Sequence, residues 1–356
     1  MPLHDTSYQH WEGVHCGLWH RRWVIARNGV ATCLQNKWMR HLVVLCWVGG
    51  LVMTALLFLV GQLLVADSIV VLWVGNLNPN LQSFARMLTT WLEQHPEVSV
   101  RTTQDVLFFY FATLLMPMSI FALGMALPLL ITRDLASNAI IIYSSKAVSR
   151  GDYLLGKFAT AFGLLALTWL GPVCAAWLVG NLLAPDWRFF WHARVALGHA
   201  LVYGLTSMCL LSVLAMGVSA LSSKEKTTPA FWFMYDFRTG HKPVTSMTAR
   251  GFVHLPRMDG WVLGGIVANI AAHTQPWLRH VSFTFNLDQV ALAVFRLGDD
   301  LKIAQDNVPI FGNMLRNIRP ETMTALNSPA LTGALLGLLC MAAAAALLLR
   351  NRVKPE

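Results

Sequence analysis

Residues of the types that bind metals occur close together near the N-terminus, at His10, His15, Cys16 and His20. Imidazole and thiolate groups are ordinary zinc ligands, but zinc sites built from neighbouring residues use a few characteristic short spacings. The four residues match none of these spacings. The sequence therefore favours surface histidines over a metal centre.

Groups that could carry catalysis or ion coupling are scarce in the apolar parts of the sequence. All 18 Asp and Glu residues lie outside the six apolar windows described below, so no buried pair of acids is predicted. His199 lies in one window, a few residues after Arg194, which favours a histidine at the membrane interface. The sequence has no Gly-x4-Gly-Lys-Ser/Thr motif, which excludes nucleotide binding through a phosphate loop.

The composition is that of an integral membrane protein. Of 356 residues, 55% are hydrophobic and 13% are charged, and the mean hydropathy is +0.51. A bilayer-spanning helix needs about 20 predominantly apolar residues. Six windows without Asp, Glu, Lys or Arg approach or exceed this length: 42–66, 106–132, 158–184, 195–222, 260–278 and 327–349. The predicted fold class is an all-α polytopic membrane protein with about six transmembrane helices, its transmembrane domain at 42–349 lying between the segments 1–41 and 350–356.

The fifth window is the weakest of the six. It is short and contains polar residues, including Asn269, His273 and Gln275. A short apolar piece at 227–237 could begin the same membrane passage. A broken or re-entrant fifth segment is the alternative, and irregular backbone at that depth has to be buried in protein or line a wet cavity.

The charges between the windows predict the orientation, because loops rich in Lys and Arg stay in the cytoplasm. If the N-terminus is inside, the inside segments 1–41, 133–157, 223–259 and 350–356 carry 18 basic and 8 acidic residues. The outside segments carry 9 basic and 10 acidic residues. Both termini are therefore predicted to be cytoplasmic. The basic balance of +9 is explained by membrane orientation and does not indicate nucleic-acid binding.

The segment 1–41 is too polar for a secretory signal and is predicted to contain a helix at the membrane surface. Its apolar residues recur at helical spacing on about one third of a helical wheel. Asn28-Gly29 is expected to break or bend this helix. The alternative is a basic flank that only orients the first span. The residues on the apolar face are Trp19, Trp23, Val30, Leu34 and Trp38.

Three further patterns predict helices or helix packing. Asn80 is expected to cap a short amphipathic helix in the first external loop. Asn286 and Gln289 have the spacing of a capping box ahead of an apolar run. Gly333 and Gly337 form a GxxxG pair in the last span, which favours close helix packing.

The segment between the second and third predicted spans, ITRDLASNAIIIYSSKAVSRGDYLLGKF at 131–158, concentrates six charges within 25 residues. Its Ile140–Tyr143 run is an apolar patch that could seat in a groove of a soluble partner or dip into the lipid boundary. Asp152 could cap the third span, since a carboxylate interacts favourably with the positive end of a helix. An ordinary charged turn explains Asp152 and Lys157, but not the apolar run.

This segment resembles the cytoplasmic loop between spans two and three in permease subunits of type 2 ATP-binding-cassette (ABC) exporters. In that family an acidic residue follows span two, and Ser-Arg, an aromatic residue and Lys precede span three. Six spans, an N-terminal interfacial helix and a helix ahead of the last span agree with the resemblance. The sequence departs from the family pattern in lacking Gly near Asn138 and Pro near Ala147. The matching residues are Arg133, Asp134, Ser149, Arg150, Tyr153, Gly156 and Lys157.

The resemblance implies a membrane-spanning subunit of an ATP-driven exporter in the bacterial inner membrane. Such a subunit pairs with a second permease copy or a homologous permease, and with two ATPase subunits that bind ATP and Mg²⁺. This chain would then be no enzyme and would bind no cofactor itself. The residues expected to couple it to the ATPase are Arg133, Asp134, Ile141, Tyr143, Ser149, Arg150, Asp152, Tyr153 and Lys157.

Two other functions stay open from the sequence. An ATPase-coupled membrane protein that transmits force or a signal without moving cargo would show the same features. A lipid-modifying membrane enzyme is disfavoured, because no cluster of His, Asp, Glu or Cys is placed for chemistry at the membrane face.

Overall fold

The structure is a computed structural model that describes residues 17–63, 90, 96–139, 149–184, 187–221, 224, 280, 283–299, 302 and 330–353. The regular secondary structure of these residues is helical throughout, without a strand. Five of their helices are long and apolar enough to cross a membrane. The predicted all-α polytopic membrane fold is confirmed.

Two pairs of helices are each joined into one continuous rod by a π-helical turn. The turn at Pro128–Thr132 joins α3 to α4, and the turn at Ala166–Leu170 joins α5 to α6. The helices are α1 (Leu18–Gln35), α2 (Lys37–Leu63), α3 (Pro96–Leu127), α4 (Arg133–Ala136), α5 (Arg150–Leu165), α6 (Gly171–Leu182), α7 (Trp187–Leu221), α8 (Phe283–Phe295) and α9 (Leu331–Arg352).

The predicted windows agree with the long helices wherever the structure describes them. The windows 42–66, 106–132, 158–184, 195–222 and 327–349 correspond to candidate spans at Lys37–Gln62, Val100–Ala136, Arg150–Leu182, Phe189–Leu221 and Leu331–Arg352. Most of these helices begin before their windows. A window without charges ends at the nearest charged residue, whereas the helix continues through charged and polar residues at the membrane surface. The fifth window, 260–278, and the helix predicted from Asn80 lie outside the described residues.

The α3–α4 and α5–α6 rods are antiparallel. Gln104 Nε2 donates a hydrogen bond to Asn181 Oδ1 at 2.8 Å near one end of the pair. Lys157 Nζ donates to the carbonyl of Leu129 at 3.1 Å near the other. We refer to these as the Asp105 end and the Asp134 end of the bundle.

Helix α7 runs in the same direction as α3. His199 pairs with Asp105 at one end, and Ser219 contacts Thr132 at the other. Helix α7 therefore finishes at the Asp134 end, whereas His280 packs near the start of α9 at the Asp105 end. The end of α7 and His280 thus lie at opposite ends of the bundle.

The predicted N-terminal helix is present as α1, but it does not break at Asn28-Gly29. Gly29 faces Thr160 of α5 so closely that a Cβ atom would overlap the threonine side chain. The glycine thus allows α1 to lie directly against α5, and this packing holds the helix continuous. The chain leaves helical geometry at Asn36, between α1 and α2.

Ser219 of α7 shapes the turn that leads to α4. Its hydroxyl donates to the carbonyl of Leu127 at 2.8 Å and accepts hydrogen bonds from the backbone N–H groups of Ile131 and Thr132 at 2.9 and 3.1 Å. A π-helical turn displaces the regular backbone pairing, and this buried hydroxyl hydrogen-bonds three backbone groups of the turn. The turn thereby positions the residues that follow it, Arg133 and Asp134.

The predicted capping box at Asn286 is wrong. Helix α8 already includes Phe283, so Asn286 is inside the helix. Its side chain donates to the carbonyl of His280 at 2.7 Å and lies 2.8 Å from His280 Nδ1. Gln289 instead accepts a hydrogen bond from the N–H of Ala330 at 2.9 Å, next to the start of α9. Tertiary partners on neighbouring segments therefore use the groups that the spacing had assigned to a local cap.

Candidate functional site at the Asp134 end

The seven residues that carry the family resemblance lie at the two points where the segment 131–158 joins the bundle. Arg133 and Asp134 are in α4, and the others lie at or within the start of α5. Because the two rods are antiparallel, both sets lie at the same end of the bundle. The residues in and beside α5 are Ser149, Arg150, Tyr153, Gly156 and Lys157.

Asp134 is the centre of the contacts between the two rods. Its Oδ2 atom accepts a hydrogen bond from the Tyr153 hydroxyl at 2.7 Å and lies 2.7 Å from Lys157 Nζ. The Asp134 and Lys157 side chains are each 15% exposed. A charge-assisted bond in such a partly buried place is stronger than an ion pair on the open surface. The ion pair therefore fastens α4 to α5.

Ser149 begins α5 as its N-cap. Its Oγ atom accepts a hydrogen bond from the Asp152 N–H at 3.1 Å and donates to Asp152 Oδ2 at 2.6 Å. The prediction that Asp152 itself caps the helix is thus corrected: Asp152 occupies the first turn, where its negative charge still favours the helix N-terminus. Its other oxygen accepts a bond from Arg22 of α1 at 2.6 Å. Asp152 therefore also fixes the N-terminal helix.

Arg150 contacts the C-terminal end of the last helix, α9. One guanidinium nitrogen donates to the carbonyls of Leu349 and Arg350 at 3.1 and 2.6 Å. These carbonyls lie in the last turn of α9, where the helix dipole is negative, and the Leu349 carbonyl also accepts a hydrogen bond from the Val353 N–H at 3.0 Å. Arg150 thus links the start of α5 to the end of the last helix.

Helix α1 packs on α5 at the same end through small residues. A Cβ atom at Gly156 would lie 2.7 Å from the Ile25 side chain, so only glycine fits the contact as built. Cys33 of α1 is buried, and its burial raises the pKa of the thiol to about 11, although the positive charge of Lys157 acts in the opposite direction. Burial and the raised pKa both disfavour the thiolate, which is the reactive form of cysteine.

Two predicted coupling residues, Ile141 and Tyr143, lie outside the described residues, which stop at Ala139 and resume at Ser149. Arg133 is exposed on α4. Among the described residues no group of three or more His, Cys, Asp or Glu side chains is placed to hold a metal ion. Of the four N-terminal metal-ligand types, only His20 is described.

The predicted packing glycines contact this chain itself. Cβ atoms at Gly333 and Gly337 would overlap the His280 ring and the Asn286 side chain. The GxxxG pair therefore packs α9 against α8 and against His280, which precedes α8 by three positions.

A second cluster of ionisable side chains lies at the Asp105 end and was not predicted from the sequence. Asp105 is fully buried inside the candidate span Val100–Ala136, and His199 Nδ1 lies 3.0 Å from its Oδ1 atom. Arg101 Nε is 3.6 Å from the other oxygen, too far for a hydrogen bond. The apolar window began one residue after Asp105, which placed this carboxylate outside the membrane. Asp105 follows Arg101 by four positions, a spacing typical of charged pairs on a helix, and this was the sequence signal that α3 begins before the apolar window.

No known protein-family model matches the sequence, and no characterised protein matches it significantly. The fold and the site together define a polytopic α-helical membrane protein. At one end of its bundle, a group of charged side chains ties the N-terminal helix, the α3–α4 and α5–α6 rods and the last helix to one another.

Proposed function

We propose that this chain is the membrane-spanning subunit of an ATP-driven exporter, and that residues 131–158 couple it to a separate ATPase subunit. Two permeases, either identical or homologous, would enclose the path for cargo, and two ATPases would bind ATP and Mg²⁺. The observation that carries the proposal is the contact of Asp134 with both Tyr153 and Lys157.

This contact closes the base of the connection between α4 and α5. If a partner protein pushes on residues 140–148, it acts on a segment whose two flanking helices, α4 and α5, are joined to each other by these contacts. Motion of the connection would therefore move the α3–α4 and α5–α6 rods together. Rigid-body movement of packed helices is the usual means by which such transitions spread through a bundle.

The same base is tied to two more elements. Asp152 holds α1 through Arg22, and Arg150 holds the end of α9. Four parts of the bundle would thus respond to one point of contact. This arrangement supports a coupling role over that of an ordinary charged turn, which would need only its own local hydrogen bonds.

We assign different tasks to the residues of the segment. Asp134, Arg150, Asp152 and Lys157 have partners inside the chain, so their task is to anchor the connection. Direct contact with the ATPase is the task of the apolar run that includes Ile141 and Tyr143. Apolar residues supply affinity in such an interface, while the charges around them select the partner.

Co-purification of this chain with a separate ABC-type ATPase subunit tests the proposal. Ile141→Glu and Tyr143→Glu should abolish binding, because a buried charge without a partner costs several kcal/mol, roughly 30-fold or more in affinity. Arg296→Glu, in the segment after α8, is the control and should bind normally. Normal binding by all three variants, or no binding by the unaltered chain, would exclude the coupling role.

The proposed orientation places both termini and residues 133–157 in the cytoplasm of a bacterial cell. Single cysteines at Ser144 and Ser83, in an otherwise cysteine-free chain, report the two sides. An impermeant maleimide should label position 83 but not position 144 in intact cells. The reverse pattern would invert the bundle and remove the ATPase from reach of the Asp134 end.

A further inference from the structure

We infer that the region where α1 meets α2 binds anionic phospholipids of the bilayer through a defined surface. This junction surface consists of Trp23, Arg27, Lys37, Trp38 and Arg40. All five side chains are exposed. The inference concerns lipid binding and does not depend on coupling to an ATPase.

The charge of the region has one sign. Between Leu18 and His41 the chain has five basic residues and no acidic residue. Arg22 is held by Asp152 inside the bundle. Arg27, Lys37 and Arg40 instead project from the protein. A cluster of basic side chains beside a transmembrane helix attracts anionic headgroups, by about fivefold for each Lys or Arg near the surface.

The aromatic residues place the region at headgroup level. Trp23 and Trp38 are 64% and 74% exposed, and Trp19 is 80% exposed. Indole rings prefer the boundary between lipid and water, where one edge is apolar and the N–H is hydrated. Trp23 precedes Arg27 by four residues, so the two side chains are neighbours on α1.

The position of the charges along α2 agrees with this depth. Lys37 and Arg40 immediately precede the apolar window that begins at Leu42. Lysine and arginine at the end of a transmembrane helix extend toward the headgroups while their stems contact the acyl chains. Phosphate groups at this level lie within reach of both side chains.

The Asp105 end offers a contrast. Trp187 and Trp191 are also exposed there, 68% and 59%, as the aromatic residues of a second interface would be. The guanidinium of Arg194, however, lies over the Trp191 ring, 3.7 Å from its centre. A cation stacked on a ring in this way presents less of its charge to lipid than three separate exposed basic side chains do. Among the described residues, exposed basic side chains are therefore more numerous at the junction surface than beside Trp187 and Trp191, whereas exposed tryptophans occur at both places.

Tryptophan quenching by brominated lipids tests the inference on the full chain in vesicles. The contribution of the junction surface is the difference between the unaltered chain and a Trp23→Phe/Trp38→Phe variant. Brominated phosphatidylglycerol should quench this difference signal more than brominated phosphatidylcholine does. The triple variant Arg27→Gln/Lys37→Gln/Arg40→Gln should lose the preference for phosphatidylglycerol while keeping the quenching by phosphatidylcholine.

Two control variants separate this surface from the charge of the protein as a whole. Arg22→Gln removes a cation that faces Asp152, and Arg194→Gln removes one at the other end. Both should retain the preference, and Arg194→Gln serves alone if Arg22→Gln fails to insert. Equal quenching by the two lipids in the unaltered chain would overturn the inference. So would the absence of quenching by either lipid, which would show that protein or water covers the surface.

Discussion

Asp134 and Lys157 are separated by 23 positions in the sequence, yet their side chains meet at 2.7 Å across the base of the segment that joins α4 to α5. The Tyr153 hydroxyl donates to the same carboxylate oxygen, and Lys157 also donates to the Leu129 carbonyl. Each member of the ion pair thus makes a second, charge-assisted hydrogen bond to an uncharged group. It makes the start of α5 a fixed point relative to the end of the α3–α4 rod.

Breaking this pair should destabilise the bundle. Asp134→Asn and Lys157→Met should each lower the free energy of unfolding by about 1.5–3 kcal/mol, the usual contribution of a hydrogen bond to a charged group. Their combination should cost less than the sum, because each single variant leaves the other charge partly buried without its partner. Thermal unfolding in detergent measures all three. Strict additivity would show that the two residues do not interact.

The packing of α1 on α5 should protect Cys33 from alkylation. A pKa of about 11 in place of 9.0 lowers the thiolate fraction at neutral pH about 100-fold, and burial blocks access as well. In a chain whose only cysteine is Cys33, reaction with iodoacetamide should be slow at pH 7 and accelerate as the pH rises toward 11.

Gly156→Val should release this protection, because its side chain would collide with Ile25 and displace α1. We expect alkylation of Cys33 to become at least about tenfold faster, since the thiol then gains both solvent and thiolate character. Gly151→Ala is the matched control, since a Cβ atom there has its nearest neighbour at 3.8 Å. Fast alkylation of the unaltered chain would contradict the packing of α1.

The sequence predicted most of the fold because a transmembrane helix is specified by one-dimensional information. A run of about 20 apolar residues can satisfy its backbone in lipid only as a helix. Local signals were weaker guides. Asn28-Gly29 resembled a helix break, but the glycine serves contact with Thr160, and Asn286 resembled a cap, but it bonds to His280. These roles depend on contacts with Thr160 and His280, and the spacing of residues in the sequence does not predict such contacts.

The sequence singled out the segment 131–158 as a candidate site, but it did not predict which residues its side chains contact. The residue types in 131–158 pointed to this segment, whereas the partners of Arg150 and Asp152 lie in the last and first helices. The Asp105–His199 pair was missed altogether, since counting charge-free windows excludes each charge at a window's edge. The pair joins positions 94 apart in the sequence, and each residue alone has an ordinary explanation.

The Asp105–His199 pair should be essential for folding at its end of the bundle. His199→Phe leaves a fully buried carboxyl group without this partner, which should cost about 1–3 kcal/mol. Adding Asp105→Asn to His199→Phe should recover part of this loss, because the buried group is then neutral. Yield of folded protein and the midpoint of thermal unfolding provide the comparison. A double variant less stable than His199→Phe would argue against the pair.

Gly333 should be required for the stability of the single chain, because α9 packs on His280 at this position. Gly333→Ala would place a methyl group on the His280 ring, and such overpacking typically costs about 1–3 kcal/mol. Gly198→Ala in α7 is the matched control, as no heavy atom lies within 4 Å of the added Cβ. The first variant should lower the unfolding temperature and the second should not. Equal effects would mean that α9 does not pack on His280.

The central claim is that the Asp134–Lys157 base carries the action of the ATPase into the bundle. It is tested most directly by ATP hydrolysis in a reconstituted complex of an ATPase subunit that co-purifies with this chain and either the unaltered chain or Lys157→Met. The complexes must first show equal ATPase content. We predict that Lys157→Met binds the ATPase normally but loses most of the chain's stimulation of hydrolysis, and that Arg296→Gln loses none. Full stimulation by a folded Lys157→Met complex would contradict the claim.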